Sequence, residues 1–146
     1  MKFIAHRGNV TGPDYCRENT IDYLMEAIAT GNMVECDVMS HHNELFLGHD
    51  VPNEKITGEL LAQSDSIFFH AKDVTAYLML KSLQVNTFMH DVDLVALTSL
   101  GQLWCFPGIC PNDQNAIWLD LAPNRISIVV PETIYGVCGD YASVVL

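Results

Sequence analysis

An α/β fold is expected here because short runs of branched and aromatic residues alternate with stretches of helical period, with Gly, Pro and Asn at the joins. The first run is residues 2–5. A polar loop with Gly8, Gly12 and Pro13 follows. Ile21, Leu24, Met25 and Ile28 then recur at spacings of three and four until Gly31, so residues 19–30 form a helix capped by Asn19 or Thr20. Strands are expected at 33–39, 45–48, 66–69 and 87–89, with helices at 58–63 and 74–83 between them. Beyond residue 100 the pattern changes. Residues 103–106, 117–119, 126–130 and 137–138 are strand-like, but the gaps are short and rich in Pro, Asn and Gly, leaving no room for full helices. The strands number roughly eight, enough for a compact TIM-like (β/α)8 barrel that has lost several helices in its C-terminal half; such barrels usually need about 250 residues. An open α/β sheet of fewer strands is the alternative.

The 146 residues leave room for one domain over 1–146, and a hydrophobic fraction of 49% supplies one substantial core. Eighteen Asp and Glu stand against seven Lys and Arg, a formal charge of -11. Nucleic acid is therefore not expected as a partner, because phosphate-backbone binding needs clustered basic residues. No apolar run approaches the about 20 residues of a membrane span, and Met1 and Lys2 lead into a short apolar stretch unlike a signal peptide. Cys16, Cys36, Cys105, Cys110 and Cys138 are scattered and odd in number, which suits a reducing cytoplasm, with Cys36 and Cys138 expected as small core hydrophobes.

The chemistry concentrates in the first 50 residues, at His6-Arg7-Gly8, Glu18-Asn19-Thr20, Glu35-Cys36-Asp37 and His49-Asp50. Two of these groups directly follow expected strands, the position at which β/α folds build sites. Glu35 and Asp37 stand two apart on a strand, so both point to one face and Cys36 to the other. Two carboxylates held together between Val34 and Val38 call for a cation, and oxygen donors suit Mg2+, Ca2+ or Mn2+. His6 offers a titrating group and Arg7 a fork of donors for phosphate. His49, with Asp50 to orient it, could work with His6 as acid and base. His41 and His42 belong to a polar turn.

In this order and spacing the four motifs resemble those of the glycerophosphodiester phosphodiesterases. The resemblance implies a TIM barrel, His6 and His49 as the acid-base pair, Glu35 and Asp37 as ligands of a divalent metal, Arg7 on the phosphate, and Glu18 beside metal and substrate. That family usually carries a glutamate and a lysine two residues apart after the third strand. Here His70 and Lys72 hold those places. Lys72 is then expected on the phosphate and His70 in the metal shell, where imidazole would favour Mn2+ or Zn2+. Trp104 and the stretch Gly136-Val137-Cys138-Gly139-Asp140-Tyr141 are similar to late strands of the family; His90 and Glu132 follow expected strands and could line the same mouth, with a structural hydrogen bond their expected use.

The activity implied is hydrolysis of a glycerophosphodiester to glycerol 3-phosphate and an alcohol. Two rivals stand beside it: a phospholipase-type relative cleaving lysophospholipid, which would want an apolar loop at the mouth, and a non-catalytic relic that binds a metal or phosphorylated metabolite. An incomplete helical jacket would expose apolar surface, which pairing of two copies would cover.

Overall fold

The computed structural model describes residues 1–106, 109–121 and 130–142. Most of the strand expected at 126–130 lies outside them. Ten strands share one sheet: β1 (Lys2–His6), β2 (Met33–His41), β3 (Glu44–Leu47), β4 (Glu54–Lys55), β5 (Ile67–Ala71), β6 (Thr87–Phe88), β7 (Val95–Leu97), β8 (Leu103–Cys105), β9 (Ala116–Asp120) and β10 (Gly136–Gly139). Seven run parallel in the order β6-β5-β2-β1-β10-β9-β8. β7 is antiparallel on β8, and β3 and β4 form an antiparallel extension of β2.

This mixed-sheet half-barrel replaces the expected (β/α)8 barrel. Such a barrel needs eight parallel strands, each followed by a helix. Among the described residues there are three short α-helices, α1 (Ile21–Ala29), α2 (Gly58–Leu61) and α3 (Val74–Ser82). β4 and β7 did not figure in the sequence pattern. Both are antiparallel, and β7 occupies the edge where a barrel would have to continue. No ladder joins β6 to β7; Ser99 N donates to Thr87 O at 2.7 Å and Thr87 N to Ser99 Oγ at 2.9 Å instead.

Local chemistry explains the helices. Thr20 occupies the N-cap position of α1, but its hydroxyl donates to Arg17 O, and Glu54 of β4 accepts from the first-turn amide of Ile21 at 2.8 Å. A carboxylate at a helix N-terminus meets both the free amides and the positive dipole end. Asp73 caps α3 by accepting from Ala76 N at 2.8 Å, and binds Ser40 N and Oγ of β2 with the same carboxylate. One side chain thus starts the helix and ties it to the sheet.

The period-two alternation separates two faces. Ala5, Val34, Cys36, Val38, Phe69 and Ala71 point to the convex face and pack under Leu24 and Ala27 of α1, Leu60 of α2, and Ala76 and Leu80 of α3. Ile4, Phe68, Phe88, Trp104, Ile117, Leu119 and Cys138 fill the concave face. Each fully buried large side chain contributes about 1.5–3 kcal/mol. In the C-terminal half the described residues of the convex face form the small cluster of Ala116, Ile134 and Val137. No helix of the described residues is long and apolar enough to cross a membrane.

Candidate functional site

The parallel register sets His6 beside Glu35 on β2, and Asp37 beside His70 on β5. Residues paired in this way share a face, so the alternation that sends Ile4 and Phe68 inward also sends His6, Glu35, Asp37 and His70 inward, nearer the carboxyl ends. Apolar side chains close the concave face at one end. Charged ones line it at the other.

The turn after β1 brings Arg7 over this charged end. Arg7 has φ 53° and Gly8 φ 92°. A left-handed arginine costs on the order of 1–3 kcal/mol and marks a position held by its surroundings. Its amide donates to Glu35 O at 2.9 Å and reaches Glu35 Oε2 at 3.3 Å. Nε lies 2.8 Å from Asp37 Oδ2, an ionic contact off the hydrogen-bond line, and Nη1 lies 3.3 Å from Glu18 Oε2. Gly8 must be small, since a Cβ there would stand 2.8 Å from Tyr23 Cδ1. Asn19, also left-handed at φ 55°, clamps Asp37 twice: its Oδ1 accepts from Asp37 N at 2.9 Å and its Nδ2 donates to Oδ2 at 3.0 Å.

Glu35 is 2% and Asp37 1% exposed. Burial opposes ionisation of Asp37, yet His70, Arg7 and Asn19 outweigh it and hold the carboxyl well below its ordinary value. His70 Nδ1 stands 3.2 Å from Asp37 Oδ1 and 3.4 Å from Glu35 Oε1. Ligand atoms of Glu35, Asp37 and His70 all lie within 4.8 Å of one another, a set that could hold a metal ion. Neighbouring ligands about 2.1 Å from one octahedral ion are about 3 Å apart, so the observed spacings fit. Four carboxylates, those of Glu18, Glu35, Asp37 and Asp140, crowd against Arg7, Lys72 and the imidazoles of His6 and His70. Lys72 Nζ is 3.6 Å from Asp37 Oδ1.

A cavity of about 170 Å3 gathers His6, Arg7, Glu35, Asp37, His49, His70 and Lys72 on its charged side, with Trp104, Phe106, Leu119 and Leu121 opposite. Seven of the eight residues singled out from sequence thus share one cavity. Glu18 stands behind Arg7 and lines an adjoining groove with His6 and Asp140. His6 Nε2 is 4.0 Å from Glu35 Oε2 and Nδ1 is 2.9 Å from Asp140 Oδ1. Burial lowers the His6 pKa, but the hydrogen bond to Asp140 and the Glu35 charge win and raise it. His70 behaves likewise, with Asp37 and Glu35 overcoming burial. His49 is 40% exposed on a turn after β3, with Nδ1 2.8 Å from Asp50 Oδ1. Gly48 makes that turn: a Cβ there would collide with Val51 O at 2.1 Å.

Several residues of the site carry no functional signal in the sequence. Asn9 is fully buried and donates to Glu18 Oε1 and Asp140 Oδ1, both at 2.8 Å. In the sequence Asn19 stands out only as part of a motif and a cap. His90, which follows an expected strand, stacks on His70 at 4.7 Å between ring centroids, and burial together with the His70 charge lowers its pKa. Asn in a loop looks like turn chemistry in any sequence, so only the fold shows which carboxylates it meets. Cys16, Cys36, Cys105 and Cys138 are free, and burial pushes the Cys36 and Cys138 thiols well up, which makes them inert packing. Comparison with protein-family models, with curated proteins and with solved structures finds no match.

Proposed function

We propose that this chain is a metal-dependent phosphodiesterase acting on small glycerophosphodiesters, as a compact and divergent relative of the glycerophosphodiester phosphodiesterases. The observation that carries the reading is that His6, His49, the buried carboxylates of Glu35 and Asp37, Arg7 and Lys72, which come from distant parts of the chain, line one cavity. A phosphodiester resists hydrolysis because its charge repels nucleophiles and its alkoxide leaves poorly. Arg7 and Lys72 would hold the non-bridging oxygens, and His6 and His49 would move protons to and from the reacting oxygens. Glu35, Asp37 and His70 would hold the divalent metal, Mg2+, Ca2+ or Mn2+, which when bound adds Lewis-acid stabilisation of the phosphoryl charge. Simple phosphate binding would need no pair of proton-transfer groups. A 170 Å3 cavity is below the usual 300–1,000 Å3 of drug-sized sites and suits a small head. A cytoplasmic setting goes with this reading, with the free thiols of Cys16, Cys36, Cys105 and Cys138 in its support.

Replacing His6 or His49 by Ala should reduce metal-dependent hydrolysis of glycerophosphocholine and of bis(p-nitrophenyl) phosphate by at least about 100-fold, with circular dichroism unchanged. Wild-type turnover in both variants would remove the acid-base pair. A second reading, cleavage of lysophospholipid, is favoured by the exposed Val51 beside His49 and by Met89 and Val92 beside His90. Faster turnover on lysophospholipid vesicles than on soluble glycerophosphocholine would select it.

A further inference from the structure

We infer that Asp140 and Asn9 are positioning residues for His6, together fixing its imidazole with the proton on Nδ1 and Nε2 turned to the cavity. His6 leaves β1 and Asp140 leaves β10, neighbouring parallel strands, so their side chains meet at the same end of the sheet. The separation of 2.9 Å between His6 Nδ1 and Asp140 Oδ1 is a hydrogen bond. A carboxylate only accepts, so Nδ1 is the donor, and the ring's other nitrogen faces Glu35 Oε2 at 4.0 Å.

Asp140 is itself held. Its Oδ1 also accepts from Asn9 Nδ2 at 2.8 Å, and the second hydrogen of that amide goes to Glu18 Oε1 at 2.8 Å. Asp14 N donates to Asn9 Oδ1 at 3.1 Å, which settles the end of the amide that carries the hydrogens. Asn9 is 0% exposed, so water does not compete for these bonds. The chain of contacts runs Arg7, Glu18, Asn9, Asp140, His6. Asn9 therefore couples the arm that would bind phosphate to the arm that would move the proton. Such outer partners set the tautomer and ring angle of a working histidine. His49 has a looser arrangement, with its sequence neighbour Asp50 88% exposed.

The kinetic consequence rests on the proposed role of His6, whereas the tautomer does not, and the experiment separates them. Two-bond 1H–15N correlation spectra of the metal-free chain, at a pH where the imidazole is neutral and with His6 assigned by loss of its signals in His6→Ala, should show the Nδ1–H form in wild type. In Asp140→Asn the Nε2–H form should appear, kcat should fall about 100-fold with KM unchanged, and Asp140→Glu should recover part of the loss. Asn9→Ala should lower kcat and raise KM together, while Glu18→Gln should raise KM alone. An Nε2–H form in wild type overturns the inference, as does an Asp140→Asn chain with unaltered tautomer and kcat. If wild type hydrolyses no phosphodiester, the hydrolase reading fails and the spectra alone decide the positioning roles. If Asp140→Asn does not fold, the wild-type tautomer and Asn9→Ala decide them.

Discussion

Residues 1–88 and residues 95–142 supply strands to the same sheet but finish it differently. The first half covers its convex face with three helices over a continuous core, whereas the second presents the small cluster of Ala116, Ile134 and Val137 there. The concave face divides in the same way. The first half brings Glu35, Asp37, His6, His49, His70, Arg7 and Lys72 to the cavity, and the second brings Trp104, Phe106, Leu119 and Leu121, with Asp140 joining the network behind His6. Charges that must be held close together stand on the half whose backbone is buttressed on both faces. Among the described residues the apolar wall has the thinner support.

On that division, the largest effects should come from the proposed metal donors of the first half. Excess EDTA should abolish turnover, and Mn2+ or Mg2+ at 100 times its Kd should stabilise wild type by about 2.7 kcal/mol in thermal melts. Asp37→Asn and Glu35→Gln should lose both the turnover and the metal-induced shift; retention of the shift in both would break the assignment of the metal to this half. Next come the two cores. Leu24→Ala, under α1, should cost about 4 kcal/mol and Ile134→Ala about 2 kcal/mol in urea unfolding. Equal losses would mean that the halves are supported alike.

A smaller effect is expected at the helix anchor. Asp73→Ala should cost about 1 kcal/mol. Burial opposes ionisation of Asp73, but bonds from Ser40 and Ala76 hold its carboxyl below the ordinary value. A depressed carboxyl stabilises fully above its unfolded value and loses that contribution as pH falls through the folded value. The gap between wild type and Asp73→Ala should thus be complete near neutrality and close in acid below about pH 3.9. A gap independent of pH would show that the charge is irrelevant. Arg17 and Glu26 pair at 2.7 Å in solvent, and Arg17→Gln should leave the melting temperature unchanged.

Much of the first half was legible because each motif sits on a strand whose alternation fixes its face. Glu35 and Asp37 on β2 could be assigned a shared side before any coordinates, and the helices α1 and α3 lie within the periods read for them. Barrel closure was not legible. Strand counting cannot reveal direction, and β3 lies antiparallel on β2 while β7 turns back on β8. Glu54 and Lys55 of β4 carry no apolar signal, because that strand is defined by pairing with β3 and by the cap it gives α1. The polar partners of the site were hidden for a related reason. Asn9 and Asp140 are 131 positions apart and meet only through the neighbouring placement of β1 and β10.

The long strand β2 has a further consequence for how the chain finds its native state. It pairs with β1, β3 and β5, and its alternation places Glu35 and Asp37 on one side with Val34, Cys36 and Val38 on the other. A slip of one residue would drive both acids into the layer beneath the helices and swing a thiol into the cavity. The desolvation of two unpaired carboxylates makes that misalignment far worse than a slip of an all-apolar strand would be. The same pair of acids that would grip a cation in the finished protein therefore also rejects wrong alignments while the sheet is being assembled.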